Sequence, residues 1–219
     1  QPYLKEKLIA IVSATKPTES FVESCNLKRI QFIAYNRSWD IPTLSSVACD
    51  HKNGGEMVAE YFIKNKHTKI GIIEGPKGSF VSDQRIKGFK SFFKNNKNTK
   101  LYSEKGFFTY DGGFQASQKI LQNKGVSAIF CADDTMAFGC LDYIKQNTTI
   151  KIPKDLELIG YDDISMSHWK SYDLTTVRQP IRQMSKLVTQ LVDDYIKDPD
   201  YESVKHIVQG SLIKRKTTR

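Results

Sequence analysis

Short runs of β-branched and aromatic residues alternate along this chain with longer segments whose apolar residues recur at helical spacing. This alternation constrains the fold more than any other feature. The strand-like runs cover residues 8–12, 30–35, 69–74, 106–109, 128–131, 157–161 and 175–178, and helical periodicity covers 54–64, 83–95, 113–123, 135–146 and 181–196. In the last helix Ile181, Met184, Leu187, Val188, Leu191, Val192 and Ile196 form one apolar stripe suited to a core. Such βαβ units imply an α/β fold built on parallel sheets with right-handed crossovers.

The chain's 219 residues accommodate one large domain or two small lobes, and 39% hydrophobic with 11% aromatic residues is enough for a substantial core. Intrinsic disorder and collagen-like architecture are excluded on that composition. No apolar run approaches the roughly 18–20 residues of a bilayer-spanning helix. The start, Gln1-Pro2-Tyr3-Leu4-Lys5, lacks the pattern of a secretory leader. Lys and Arg number 33 against 24 Asp and Glu, a net charge of +9, but the basic residues are scattered and only Lys214-Arg215-Lys216 is dense. With no recognition-helix motif, zinc finger or stacking platform, the charge reads as a solvated basic surface. Cys25, Cys49, Cys131 and Cys140 have neither CxxC spacing nor histidines in ligand register. They read as reduced core residues of a cytoplasmic protein, with no metal expected.

Parallel α/β sheets bind ligands at the carboxyl ends of their strands, so the loops there carry the functional candidates. After the run 69–74 comes Gly75-Pro76-Lys77-Gly78-Ser79; after 128–131 comes Ala132-Asp133-Asp134; after 157–161 comes Asp162-Asp163. Asp134 precedes a helix and suits an N-cap, which leaves Asp133 and Asp162 better placed to face a ligand. Arg85 either pairs with a neighbouring acid such as Asp83 or donates to a ligand. One guanidinium and two carboxylates at one sheet edge suit a polyhydroxylated molecule, since the first donates and the others accept. The 74–79 loop does not match a phosphate loop, no GxSxG elbow occurs, and His51, His67, His168 and His206 are widely spaced. No catalytic residue and no cofactor is expected.

Five segments then resemble the lactose/galactose-repressor family of bacterial transcription regulators. They are Val47-Ala48-Cys49-Asp50-His51-Lys52-Asn53-Gly54-Gly55, His67-Thr68-Lys69-Ile70-Gly71-Ile72-Ile73-Glu74-Gly75-Pro76, Ser82-Asp83-Gln84-Arg85-Ile86-Lys87-Gly88-Phe89, the stretch from Ala128 to Gly139 containing Asp133-Asp134-Thr135-Met136-Ala137, and Leu158-Ile159-Gly160-Tyr161-Asp162-Asp163 followed by Leu174-Thr175-Thr176-Val177-Arg178-Gln179-Pro180. Their order and spacing span nearly the whole chain.

The resemblance implies a two-lobe, periplasmic-binding-protein-like fold with three crossover hinges and effector held between the lobes. Residues 1–67 would form part of the first lobe, 68–175 the second, 176–209 the return to the first, and 210–219 a final strand of the second and a tail. Hinges are expected near His67-Thr68, at Thr175, Thr176 and Val177, and near Gln209-Gly210. Carried over by position, the effector would meet Arg85, Asp162, Asp133, Phe108, Ser79 and Val81, with Phe108 stacking on it. Position 133 is Asp where the family commonly has Asn, which removes a donor and adds charge. The family's DNA-binding headpiece and first two strand-helix units have no counterpart here, so an N-terminally truncated core is expected. The implied function is the effector-binding domain of a repressor-type regulator sensing a sugar or similar metabolite by lobe closure. It would be a homodimer that reaches DNA only through the absent headpiece, with no membrane partner. A sugar receptor of a transport system is the alternative, and an enzyme using Asp133 and Asp162 is a third reading.

Overall fold

The computed structural model describes residues 8–94 and 98–219. The N-terminal segment Gln1–Lys5 and Asn95, the last residue expected in its helix, lie outside the described residues. Two compact units divide the chain. The first is Gln1–Asp50 with Pro180–Val208, and the second is His51–Gln179 with Gln209–Arg219.

Among the described residues the first unit holds a four-stranded parallel sheet, in the order β1 (Ala10–Ser13), β2 (Gln31–Tyr35), β3 (Ser45–Cys49) and β9 (Lys205–Val208). Side chains alternate across β2 as a strand requires. Phe32 and Ala34 join Val22 and Cys25 of α1 (Glu19–Leu27), while Ile33 joins Met184 and Leu191 of α6 (Ile181–Lys197). The stripe expected on the last helix is a core face through Met184, Leu187, Val188, Leu191 and Val192, while Ile181 and Ile196 at its two ends are exposed. Helix α1 begins at Thr18, whose hydroxyl accepts from the Phe21 amide at 3.2 Å. Strand β1 lies at the edge of the sheet, and Leu8, Ile9 and Val12 are exposed along it.

Among its described residues the second unit carries six strands in the order β10 (Ser211–Ile213), β8 (Thr175–Arg178), β7 (Glu157–Asp162), β6 (Ala128–Cys131), β4 (Lys69–Glu74) and β5 (Lys100–Lys105). All are parallel except β10. Strands β4, β6 and β7 are nearly continuous apolar runs because helices cover both faces of a central parallel strand. The covering helices are α2 (His51–Lys64), α3 (Phe80–Ser91), α4 (Tyr110–Ile120) and α5 (Asp134–Asn147). No helix of the described residues is long and apolar enough to cross a membrane.

Three expectations are corrected. The strand expected at 106–109 lies at 100–105 instead: β5 is a charged edge strand, Lys-Leu-Tyr-Ser-Glu-Lys, whose alternation is too polar to stand out. The first boundary, expected near His67-Thr68, falls between Asp50 and His51 because α2 packs on α3 of the second unit. Two glycines permit that approach. A Cβ on Gly55 would lie 2.0 Å from the Arg85 carbonyl, and one on Gly88 would lie 1.9 Å from the Lys52 carbonyl. Finally, Thr175, Thr176 and Val177 are buried within β8, paired with β7 and β10, and the chain leaves the unit only after Gln179.

The final residues are knitted into this sheet. The Leu158 amide donates to the Thr217 carbonyl at 2.9 Å, and the Thr217 hydroxyl donates to the Leu158 carbonyl at 2.7 Å. The same hydroxyl accepts from the Thr175 amide at 2.9 Å. Beneath it Glu157 is buried among Arg219, Asn65 and His67. Burial pushes its carboxyl up, but these hydrogen bonds outweigh burial and leave it below the usual range.

Candidate functional site

Arg85 sits one turn into α3 and is 2% exposed. Its planar guanidinium meets a separate acceptor on each nitrogen: His51 Nδ1 from Nε at 3.3 Å, the Ala132 carbonyl from Nη1 at 2.6 Å, and Asp162 Oδ1 from Nη2 at 2.8 Å. Its carbon lies 3.7 Å from the centre of the Tyr161 ring, adding a cation–π contact. Gly54 makes room for that ring, since a Cβ there would meet the Tyr161 hydroxyl at 2.1 Å. The residues gathered come from α2, α3 and the carboxyl ends of β6 and β7, the strand ends singled out by the sequence.

Asp162 Oδ1 also accepts from Gln179 Nε2 at 2.6 Å. Gln179 is nearly buried, and its own amide oxygen has no hydrogen-bond partner among the described residues. Backbone φ is +115° at Asp162 and +56° at Asp163, a region costly for a residue with a Cβ. Ion pairs hold the turn: Asp163 accepts from Arg178 at 2.5 Å and from Arg215 at 2.6 Å, with His168 at 3.3 Å. Burial pushes the Asp163 carboxyl up, but the two arginines outweigh it and keep the group below its ordinary value.

Helix capping, expected of Asp134, falls to its neighbour Asp133. Asp133 is the N-cap of α5, accepting from the Met136 amide at 2.8 Å. Asp134 is the residue turned inward, accepting from the hydroxyls of Thr176 at 2.6 Å and Ser167 at 2.7 Å and from the Ile164 amide at 3.0 Å. The reason is long-range: Thr176 and Ser167 capture the second carboxylate, which leaves capping to the first. Asp133 still borders the Arg85–Asp162 pair, close enough for both charges to act on it. Burial pushes Asp133 up to about 6 and Asp134 up to about 7.

Those raised values fix a pH dependence. The folded chain holds protons on Asp133 and Asp134 where the unfolded chain, with carboxyls near 3.8, has released them. Stability therefore falls as pH rises from about 4 to about 7. Glu74, Glu157 and Asp163 shift the other way; their contribution is lost on acidification, is nearly complete by about pH 5.5 and is flat above that. The urea midpoint is expected to be higher at about pH 5 than at about pH 7.5, with most of that difference removed in Asp134→Asn. A wild-type midpoint that rises over the same interval refutes the assignment.

The remaining expected residues are more dispersed. Ser79 occupies the N-cap position of α3 without a side-chain cap bond, and Val81 is buried. Phe108 lies in the turn after β5 at φ +60°, its ring packed where a Gly75 Cβ would stand, 2.4 Å from that position. Among the described residues it makes no ring or cation contact with Arg85. Sequence reading missed His51, Tyr161 and Gln179. All three lie inside the segments that carried the resemblance, and Gln179 precedes the proline that starts α6.

With this geometry in place the comparisons fall into line. Residues 59–218 match the model of the periplasmic binding protein-like domain. The chain is 31% identical over 214 residues to a protein named as the probable HTH-type transcriptional repressor ExuR of Bacillus subtilis (strain 168), covering 96% of this chain and 64% of that repressor. It is 33% identical over 172 residues to the HTH-type transcriptional repressor PurR of Vibrio vulnificus (strain CMCP6), covering 77% of this chain and 51% of that protein. Among solved structures, a LacI family transcriptional regulator from Enterococcus faecalis V583 with bound ribose superposes with a TM-score of 0.87. It is 26% identical and is covered over 79% of its length, against 98% of this chain. The two-unit α/β architecture agrees with this match, and the chain belongs to the periplasmic binding protein-like domain family. It spans about half to two thirds of the length of the curated relatives it matches.

Proposed function

We propose that this chain is the effector-binding domain of a bacterial transcription repressor and that its effector is a neutral sugar. The observation that carries the reading is the Arg85–Asp162–Gln179 network at the carboxyl ends of the second unit's strands, with its unpaired Gln179 oxygen. Arg85 is buried and donates from each of its three nitrogens to an acceptor inside the protein, so its role is to fix Asp162. The groups left to meet a ligand are acceptors: Asp162, Asp133 and the Gln179 amide oxygen. Acceptors of this kind suit hydroxyl donors, whereas an anionic ligand would have to draw Arg85 away from Asp162. The repressor names of the relatives and the ribose bound to the Enterococcus regulator support the same reading. We assign the carboxylates to binding and not to turnover, because Asp133 caps a helix and Asp162 is held by two donors. Effector-dependent control of DNA would pass through a helix-turn-helix segment outside these residues, in a cytoplasmic homodimer.

A thermal-shift screen of pentoses, hexoses, hexuronates, sugar phosphates and nucleobases tests the proposal. A neutral sugar is expected to raise Tm in the wild type and to lose that effect in Asp162→Asn. Stabilisation by an anionic sugar alone, or by a nucleobase alone, would refute it.

A further inference from the structure

We propose that the first unit carries a second ligand site, for a small organic cation bearing ammonium groups, at the amino ends of β2 and β3. A cavity of about 480 Å³ opens there between the start of β2 and the loop that joins α6 to β9. Gln31, the first residue of β2, lines it at 6% exposure, and its amide oxygen has no partner among the described residues. A buried carbonyl oxygen without a donor costs free energy that a ligand donor would recover. Asp200 and Glu202 line the same cavity, with the tyrosines Tyr195 and Tyr201.

Every one of those features favours a cation. Carboxylates and an amide oxygen accept hydrogen bonds from an ammonium group, and aromatic faces attract its charge. Among the described residues no lysine or arginine lines the cavity. Arg29 is the cationic residue that acts on the Tyr195 hydroxyl, offset there by Asp200. The chain as a whole carries +9, so general electrostatics repel a cation and only a local arrangement of acceptors would hold one. A linear diamine or triamine, with donors at both ends and an apolar stem for the rings, matches this combination better than a metal ion does. The site lies in the first unit and Arg85 in the second, so the two proposals stand or fall separately.

Isothermal titration of the purified chain with spermidine, at matched ionic strength, tests the inference. One saturable site is expected. It should weaken at least tenfold in the double variant Asp200→Asn/Glu202→Gln and at least tenfold in Gln31→Leu, and it should be retained in Asp162→Asn. The acids are exposed, so that double variant keeps the fold; circular dichroism checks the Gln31 variant. Absence of saturable binding, equal affinity in the acid double variant, or competition by magnesium at equal concentration would each overturn the proposal.

Discussion

Gly55→Ala is expected to destabilise the chain by about 3 kcal/mol, measured as a shift of the urea midpoint at unchanged slope. The new methyl would stand 2.0 Å from the Arg85 carbonyl and 2.8 Å from the Phe89 amide, both backbone atoms of α3 that no rotamer change can move aside. Helices α2 and α3 must separate, and the apolar surface between them opens. Gly78→Ala provides the contrast. Its φ is +80° but nothing lies within 4 Å of its Cβ position, so only the backbone penalty of about 1 kcal/mol applies. Equal losses at the two positions would mean that the helices are not in contact as described. Because the obstructed carbonyl belongs to Arg85, sugar binding is expected to weaken in Gly55→Ala even where the chain remains folded.

Arg85→Met is expected to abolish effector binding, with a loss of at least a hundredfold in affinity, and to cost about 3 kcal/mol of stability. The methionine fills much of the volume over Tyr161 but removes the Arg85 hydrogen bonds to the Ala132 carbonyl, His51 Nδ1 and the Asp162 carboxylate, which keeps only that from Gln179. Arg85→Lys is expected to recover little of either. One ammonium on a flexible stem cannot serve acceptors arrayed around a planar fork, nor stack on the Tyr161 ring as the guanidinium does. Calorimetric titration with the stabilising sugar, beside urea unfolding of both variants, measures the two effects. A lysine variant that binds normally would reduce Arg85 to a point charge and remove the basis for the proposed site.

The strands buried on both faces were the most legible part of the fold, because 70–73, 128–131 and 158–161 are uninterrupted runs without a charged residue and are bounded by polar or turn residues. The alternation of these runs with amphipathic helices carried the α/β class. Strand β5 was not legible, since a solvated edge strand has little reason to be apolar. Helix α1 was missed for a related reason: it contributes only Val22 and Cys25 to the core, and its clearest signal was the Thr18 cap.

At the site, the pairing of Arg85 with Asp162 could not be read from the sequence, where Asp83 was an equally good partner. Tertiary packing chose between them. The choice of Asp133 over Asp134 as the cap shows the same limit at finer scale. Adjacent carboxylates before a helix are equivalent to local rules, and the decision rests with Thr176, a strand residue far along the chain. The position of the first boundary was likewise decided by two glycines whose partners lie on another helix.

The clasp at Asp163 joins Arg178, at the end of β8, to Arg215, beyond β10. Together with the β8–β10 ladder and Thr217, it fastens the terminal segment Gln209–Arg219 to its neighbours without relying on the intervening covalent chain. A protease that cuts in the exposed stretch around Asp200 would therefore release nothing from the second unit. Native mass would stay unchanged, and the nick would show only as two bands once the sample is boiled in detergent.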